Sequence, residues 1–285
     1  MNHDLLEKER VAIERLRAFE PSDGYYLAYS GGKDSDTVKI LATLAGVKFD
    51  AVHNLTTVDA PETVQYVKSQ PDVTIRRSYD RDGKRITMWN LIVRKGTPPL
   101  RISRYCCSEL KESGGKGRVT VTGVRWAESA RRKASWDVVT FIGKPKATQK
   151  LAEELGAEYE ISMQNGIILN DDNDVNRRMV EHCYRTRKTM VNPIVDWTDE
   201  DVWAFLHHYG CRSNPLYECG YKRIGCIGCP MASTRKREEE FARYPTYQRA
   251  YIRAFDRMLE KRRMDGKETT LWASGVDVFH WWIGR

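Results

Sequence analysis

Residues 25–46 read YYLAYSGGKDSDTVKILATLAG, and this stretch decides the fold. YYLAYS (25–30) is a short apolar run bounded by Gly24 and Gly31, the pattern of a buried strand. From Asp34 to Leu44 the residues Val38, Leu41 and Leu44 recur at helical spacing. Between them lies Ser30-Gly31-Gly32-Lys33-Asp34-Ser35, a glycine turn from strand into helix. Its glycines let the backbone approach a ligand and point successive N–H groups at it, and the helix start adds its positive end. Ser30 and Ser35 bring hydroxyls and Lys33 a point charge, so the hexapeptide reads as a cradle for phosphate groups. It is not a Walker A loop, which needs glycine at position 27 and Ser or Thr at 34; this chain has Leu27 and Asp34.

Outward from the loop, the pattern repeats. Residues 4–19 space Leu5, Leu6, Val11, Ile13, Leu16 and Phe19 as an amphipathic helix. Strands are expected at FDAVHNL (49–55), VTIRRS (73–78), VTVTGVR (119–125) and VVTFIG (138–143), with a helix over 61–69. Alternating strands and helices predict an α/β, Rossmann-like parallel sheet with helices on both faces, and ligands bind at the carboxyl ends of its strands. The loop sits at such an end. Residues 192–210 predict another helix, with Thr198 as N-cap, acids in its first turn and an apolar face of Val202, Trp203, Phe205 and Leu206. Trp197 and Trp203 read as core residues rather than base-stacking ones.

The expected organisation is a nucleotide-binding α/β domain over 1–215, with an insertion at about 144–190 that carries little pattern, and a helical, basic-aromatic appendage over 216–285. The tail is dense in cations (Arg235, Lys236, Arg237, Arg243, Arg249, Arg253, Arg257, Lys261, Arg262, Arg263), but Glu238, Glu239, Glu240, Asp256 and Glu260 interleave them. A solvated, salt-bridged helix is therefore expected ahead of a nucleic-acid surface. Net charge is +8, which suits phosphate-rich ligands from nucleotides to nucleic acid. No stretch reaches the roughly 18 apolar residues of a membrane span, and MNHDLLEKER lacks a signal-peptide core, so the cytoplasm is the expected compartment.

Seven cysteines are present, at 106, 107, 183, 211, 219, 226 and 229. A reducing compartment argues against disulfides, and an adjacent pair followed by a CxxC suggests a metal or cluster. Four thiolates from Cys106, Cys107, Cys226 and Cys229 suit a [4Fe–4S] cluster or a structural Zn²⁺. An adjacent pair is awkward for zinc, because both side chains must turn to one ion.

SGGKDS resembles the PP-loop of the ATP pyrophosphatase superfamily, whose members cleave between the α- and β-phosphates. The rest resembles the PAPS reductase-like branch, through PET (61–63), GVRWAESARR (123–132) and NPIVDWTDEDVW (192–203). The resemblance spans about residues 25–230 with the motifs in order. It implies nucleotide contacts from Ser30 to Ser35, Gly123 and Arg125, with Lys33, Asp34 and Arg125 as catalytic groups. It also implies substrate contacts from Glu128, Ser129, Arg131 and Arg132, ATP with Mg²⁺, and a [4Fe–4S] cluster on the four cysteines with Lys111 beside it. Two activities lie within that resemblance. One is an ATP pyrophosphatase activating a substrate, plausibly nucleic acid, for sulfur transfer, fed by a cysteine desulfurase as in DNA phosphorothioation systems. The other is an APS or PAPS reductase. The intact GGKDS suits a ligand with β- and γ-phosphates, and the tail after Cys229 lacks the reductases' nucleophilic cysteine; both favour the first. A non-catalytic nucleotide- or nucleic-acid-binding protein ranks last, and a homo-oligomeric state is left open.

Overall fold

In the computed structural model, residues 3–128, 139–142, 159–161, 167–169, 188–267 and 271–284 are described. β1 (Tyr25–Ala28) lies at the heart of the sheet, with Tyr25 and Leu27 fully buried. It pairs in parallel with β2 (Phe49–Asn54), Tyr25 opposite Phe49, and with β4 (Thr120–Val121), Leu27 opposite Val121. β4 is in turn parallel to β8 (Lys188–Val191). β3 (Val73–Arg76) adjoins β2, and the full order is β3-β2-β1-β4-β8-β5-β7-β6.

The outer three strands qualify the expected parallel sheet. β5 (Val139–Ile142) is antiparallel to β8, β7 (Ile167–Leu169) is antiparallel to β5, and β6 (Tyr159–Ile161) to β7. The strand expected at 138–143 exists but runs against its neighbour, and two strands fall in the stretch that carried little pattern. The strand expected at 119–125 shortens to β4, because Thr122 to Arg125 leave the ladder for the site described below.

The chain forms two units. The first comprises 1–53, 65–74 and 115–222. Here α1 (His3–Ala18) buries Leu5, Ala12 and Leu16 and packs on α2 (Lys33–Ala45), whose core side is Val38, Leu41 and Ala42. α2 also contacts α5 (Asp199–His208), which buries Val202, Phe205 and Leu206. Thr198 caps α5, its side chain accepting from the Asp201 N–H at 3.2 Å. Trp197 is buried edge-on to Phe205, whereas half-buried Trp203 meets Tyr217 edge-on.

The second unit comprises 54–64, 75–114 and 223–285. It holds α3's first residues (α3, Pro61–Lys68), α4 (Met88–Lys95), α6 (Thr234–Arg243), α7 (Pro245–Met264) and α8 (Gly275–Ile283). α7 packs on α4 and α8. Its tail aromatics are core: Phe241, Tyr251, Phe255, Phe279 and Trp282 form one buried ring cluster. Arg235–Glu239 and Lys261–Asp265 are i,i+4 pairs, as expected of a solvated helix, while Arg237 donates to the Trp282 carbonyl at 2.7 Å. Among the described residues no helix is long and apolar enough to cross a membrane.

Candidate functional site

The Ser30–Ser35 loop leaves β1 and enters α2 as expected. Ser35 closes the first helical turn: its hydroxyl donates to the Gly32 carbonyl at 2.7 Å and accepts from the Gly32 N–H at 3.2 Å. Lys33 is 5% exposed, and its ammonium lies 3.3 Å from Asp34 and 3.0 Å from Asp199. Arg125 is 1% exposed. Its Nε donates to Asp34 at 2.7 Å, Nη1 to the Trp197 carbonyl at 3.2 Å and Nη2 to Asp199 at 2.5 Å. Two cations and two carboxylates therefore form one network at the start of α2. Burial works against the Asp199 anion, but hydrogen bonds from Lys33 and Arg125 outweigh it and hold its pKa below the usual carboxylate range.

Gly123 belongs to the same construction. A Cβ there would lie 2.8 Å from Asp34 Cβ and 2.9 Å from its backbone. Only glycine lets the segment after β4 come this close to the loop, and that approach aims Arg125 at Asp34.

Two partners of the loop carried no functional reading in the sequence. The Tyr217 hydroxyl accepts the Lys33 N–H at 2.9 Å, and Asn214 Nδ2 donates to the Gly31 carbonyl at 3.0 Å. Both sit in the turn of Asn214-Pro215-Leu216-Tyr217, whose Asn-Pro step marks a turn but not its target. Asp199 was legible as a first-turn acid, not as a partner of Lys33 and Arg125. Of the residues expected to touch substrate, Glu128 ends a short 3₁₀ turn, Trp126–Glu128, while Ser129, Arg131 and Arg132 lie outside the described residues.

Asp34 and Asp199 are both engaged by Arg125 and Lys33, so they offer no uncommitted carboxylate for a resident Mg²⁺.

The second unit gathers four cysteines. Cys106 and Cys107 start a wide helical turn in which the Glu112 N–H reaches the Cys107 carbonyl at 2.8 Å. Their thiols share a hydrogen bond that raises the proton affinity of Cys106 and lowers that of Cys107. Cys226 and Cys229 also act on Cys106 electrostatically, so all four sulfurs belong to one neighbourhood. Burial pushes Cys226 up to about 11 against the pull of Lys111, whose own pKa is raised chiefly by Cys226. The CIGC knuckle is held by its backbone: Ile227 N–H donates to the Val58 carbonyl at 2.8 Å, Tyr251 OH to the Ile227 carbonyl at 3.1 Å, and Gly228 N–H to buried Glu240 at 2.9 Å. Glu240 and Tyr251 had no site signal in the sequence. The donor chemistry fits a thiolate-held cluster, but among the described residues no three His, Cys, Asp or Glu groups are gathered closely enough to hold a metal ion. Cys211 is half-buried, Cys219 is exposed, and Cys183 lies outside the described residues.

Residues 24–232 match the family model described as the phosphoadenosine phosphosulfate reductase domain. The chain belongs to this family. An uncharacterized protein of Escherichia phage 186 is 28% identical over 160 residues, 56% of this chain and 38% of that protein. An uncharacterized protein of Methanocaldococcus jannaschii is 25% identical over 247 residues, 80% of this chain and 50% of its own length. Adenosine 5′-phosphosulfate reductase of Allochromatium vinosum is 46% identical, but over only 44 residues, 15% of this chain and 17% of that enzyme. The chain thus spans half or less of the length of these relatives. Among solved structures, PAPS reductase of Candida auris aligns with a TM-score of 0.44 at 14% identity, covering 79% of this chain and 96% of that one. FMN adenylyltransferase of Candida glabrata aligns at 0.45 and 12% identity, covering 79% and 62%.

Proposed function

We propose that this PAPS reductase-family protein is an ATP pyrophosphatase that activates an acceptor for sulfur transfer. The observation that carries the reading is the cradle at the start of α2: the glycine turn, the helix start, the buried Lys33 ammonium and the Arg125–Asp34 pair meet at one place. A ligand with β- and γ-phosphates uses all of these, and a sulfonucleotide uses fewer. MgATP places its β,γ-phosphates on residues 31–35. An acceptor oxygen attacks the α-phosphorus, the bond to the β-phosphate oxygen breaks, and pyrophosphate leaves against Lys33 and the loop N–H groups. Arg125 keeps Asp34 and the loop oriented. Sulfide, released by a thiol reductant from the persulfide of a partner such as a cysteine desulfurase, with a disulfide as the oxidised product, then bonds to the activated centre as AMP departs. Nucleic acid is the acceptor class we favour, and the cytoplasm the compartment.

Cys106, Cys107, Cys226 and Cys229 would hold a [4Fe–4S] cluster, which when bound supplies a site for handling sulfur near Lys111. Anaerobic protein should carry about four iron and four sulfide per chain; one zinc and no sulfide replaces that assignment.

Equilibrium binding distinguishes this reading from sulfonucleotide reduction. MgATP should bind more tightly than APS or PAPS, and Lys33→Ala should weaken MgATP by about a hundredfold, the scale of one buried charge-assisted contact. Preference for APS or PAPS, with ATP insensitive to Lys33→Ala, overturns it.

A further inference from the structure

The residues that bracket the phosphate loop are joined to each other. Tyr29 is the last residue before Ser30, and Asp36 the first after Ser35. Tyr29 is 2% exposed and Asp36 1%, and the Tyr29 hydroxyl donates to Asp36 Oδ1 at 2.5 Å. Neither residue takes part in the network of Lys33, Asp34, Arg125 and Asp199. Both are nonetheless anchored to rigid elements. The Tyr29 N–H donates to the Val52 carbonyl at 3.0 Å, extending the β1–β2 ladder, and its carbonyl accepts from His53 Nδ1 at 3.1 Å. Asp36 lies in the first turn of α2, its N–H donating to the Gly32 carbonyl at 3.1 Å.

We propose that the Tyr29–Asp36 hydrogen bond is a positioning clamp that fixes the phosphate loop in its ligand-binding form. Six residues with two adjacent glycines have wide conformational freedom, and ordering them on a ligand would cost affinity. A hydrogen bond to a charged group, formed in a desolvated place across the two ends of the loop, removes that freedom beforehand. The surroundings are arranged for it. Tyr66 of α3 lies against the same carboxylate, and Lys39, one turn along α2, sits 5.4 Å over the Tyr29 ring while bonding Gln70 and Asp72. Asp34 on α2, Cys211 after α5 and Tyr217 also face Asp36. Burial of this acid, opposed by the two phenols and by Lys39, is a standing cost that a plain core position would avoid with an apolar side chain.

The clamp rests on reading residues 30–35 as the triphosphate site, so its test has one arm independent of nucleotide. Hydrogen exchange of the amides of residues 31–36 is compared in the full chain and in Tyr29→Phe, Asp36→Ala and Asp36→Asn, alongside equilibrium binding of MgATP near pH 7.5. Asp36→Asn keeps an acceptor for the phenol and is the rescue control. The clamp requires exchange at least about tenfold faster in the loop, but not in α5, for Tyr29→Phe and Asp36→Ala. It also requires about tenfold weaker MgATP in both, with Asp36→Asn within about twofold of the parent in each readout. Unchanged loop exchange in Tyr29→Phe and Asp36→Ala overturns the clamp whether or not ATP binds. So does faster exchange with unchanged MgATP affinity, or an Asp36→Asn protein as impaired as Asp36→Ala. A parent protein that binds no MgATP refutes the nucleotide reading instead, and the exchange arm still decides the clamp.

Discussion

In the proposed nucleotide complex a phosphate oxygen takes the backbone N–H of Lys33, which in the structure is given to the Tyr217 hydroxyl at 2.9 Å. The two acceptors compete for one donor. Tyr217→Phe removes the competitor while keeping the ring against Trp203, so MgATP affinity should rise roughly three- to tenfold, the net value of one neutral hydrogen bond. Equilibrium titration checks this; weaker binding would mean that the hydroxyl serves the ligand. Residues of this kind mark the limit of the sequence. Ser30 to Ser35 and Arg125 are legible because a short pattern forces their chemistry: a glycine turn between strand and helix, and an arginine following a strand. Tyr217, Asn214 and Asp199 act from far along the chain, and nothing local to them says which loop they meet. Thr57 is a second example, a β-branched residue held at φ 67° whose hydroxyl accepts the Met88 N–H at 2.9 Å. In a sequence it reads as an ordinary strand former.

At the level of elements, the reading succeeded where periodicity is strong and both ends are punctuated. α1, α2 and α5 fall where spacing and caps place them. α4 did not register, although Thr87 caps it and accepts the Asn90 N–H at 3.3 Å, because eight residues give barely two turns of pattern. β5 is legible as a strand but not in its direction, and β6 and β7, three residues each, are too short for a period to be read. The CIGC knuckle shows how tightly an element can depend on its packing. Gly228 has φ 70°, and a Cβ there would lie 2.6 Å from Phe241 and 3.0 Å from Trp282. Gly228→Ala therefore combines a left-handed backbone with overpacking of the aromatic cluster and should destabilise the protein by about 3 kcal/mol or more. Urea unfolding measures it; a loss under about 1 kcal/mol would show that the knuckle yields easily.

For the whole molecule, the buried Asp36 leaves a signature in stability against pH. Burial raises its pKa from 3.8 to about 6, against the Tyr29 hydrogen bond and the pull of Tyr66 and Lys39. The native state thus holds this proton more tightly than the unfolded chain does. The resulting stability is fully present below about pH 3.8, declines as pH rises through about 6 and is absent above it. Asp36→Asn removes the titration. The unfolding free energy of the parent minus that of Asp36→Asn should fall by an order of 3 kcal/mol between pH 4 and 7. A flat or rising difference contradicts the assignment. Taking the difference cancels the other acids, such as Asp199 and Glu109, whose lowered pKa values give slopes of the opposite sign.

The central claim concerns one bond. ATP labelled at the α-phosphate, incubated with Mg²⁺, the full chain and nucleic acid or small-molecule acceptors, is resolved by chromatography. The account predicts labelled AMP or an adenylated acceptor together with one pyrophosphate per turnover, both lost in Lys33→Ala. Labelled ADP, or ATP left intact with every acceptor while APS or PAPS is reduced in the presence of thioredoxin, would contradict it.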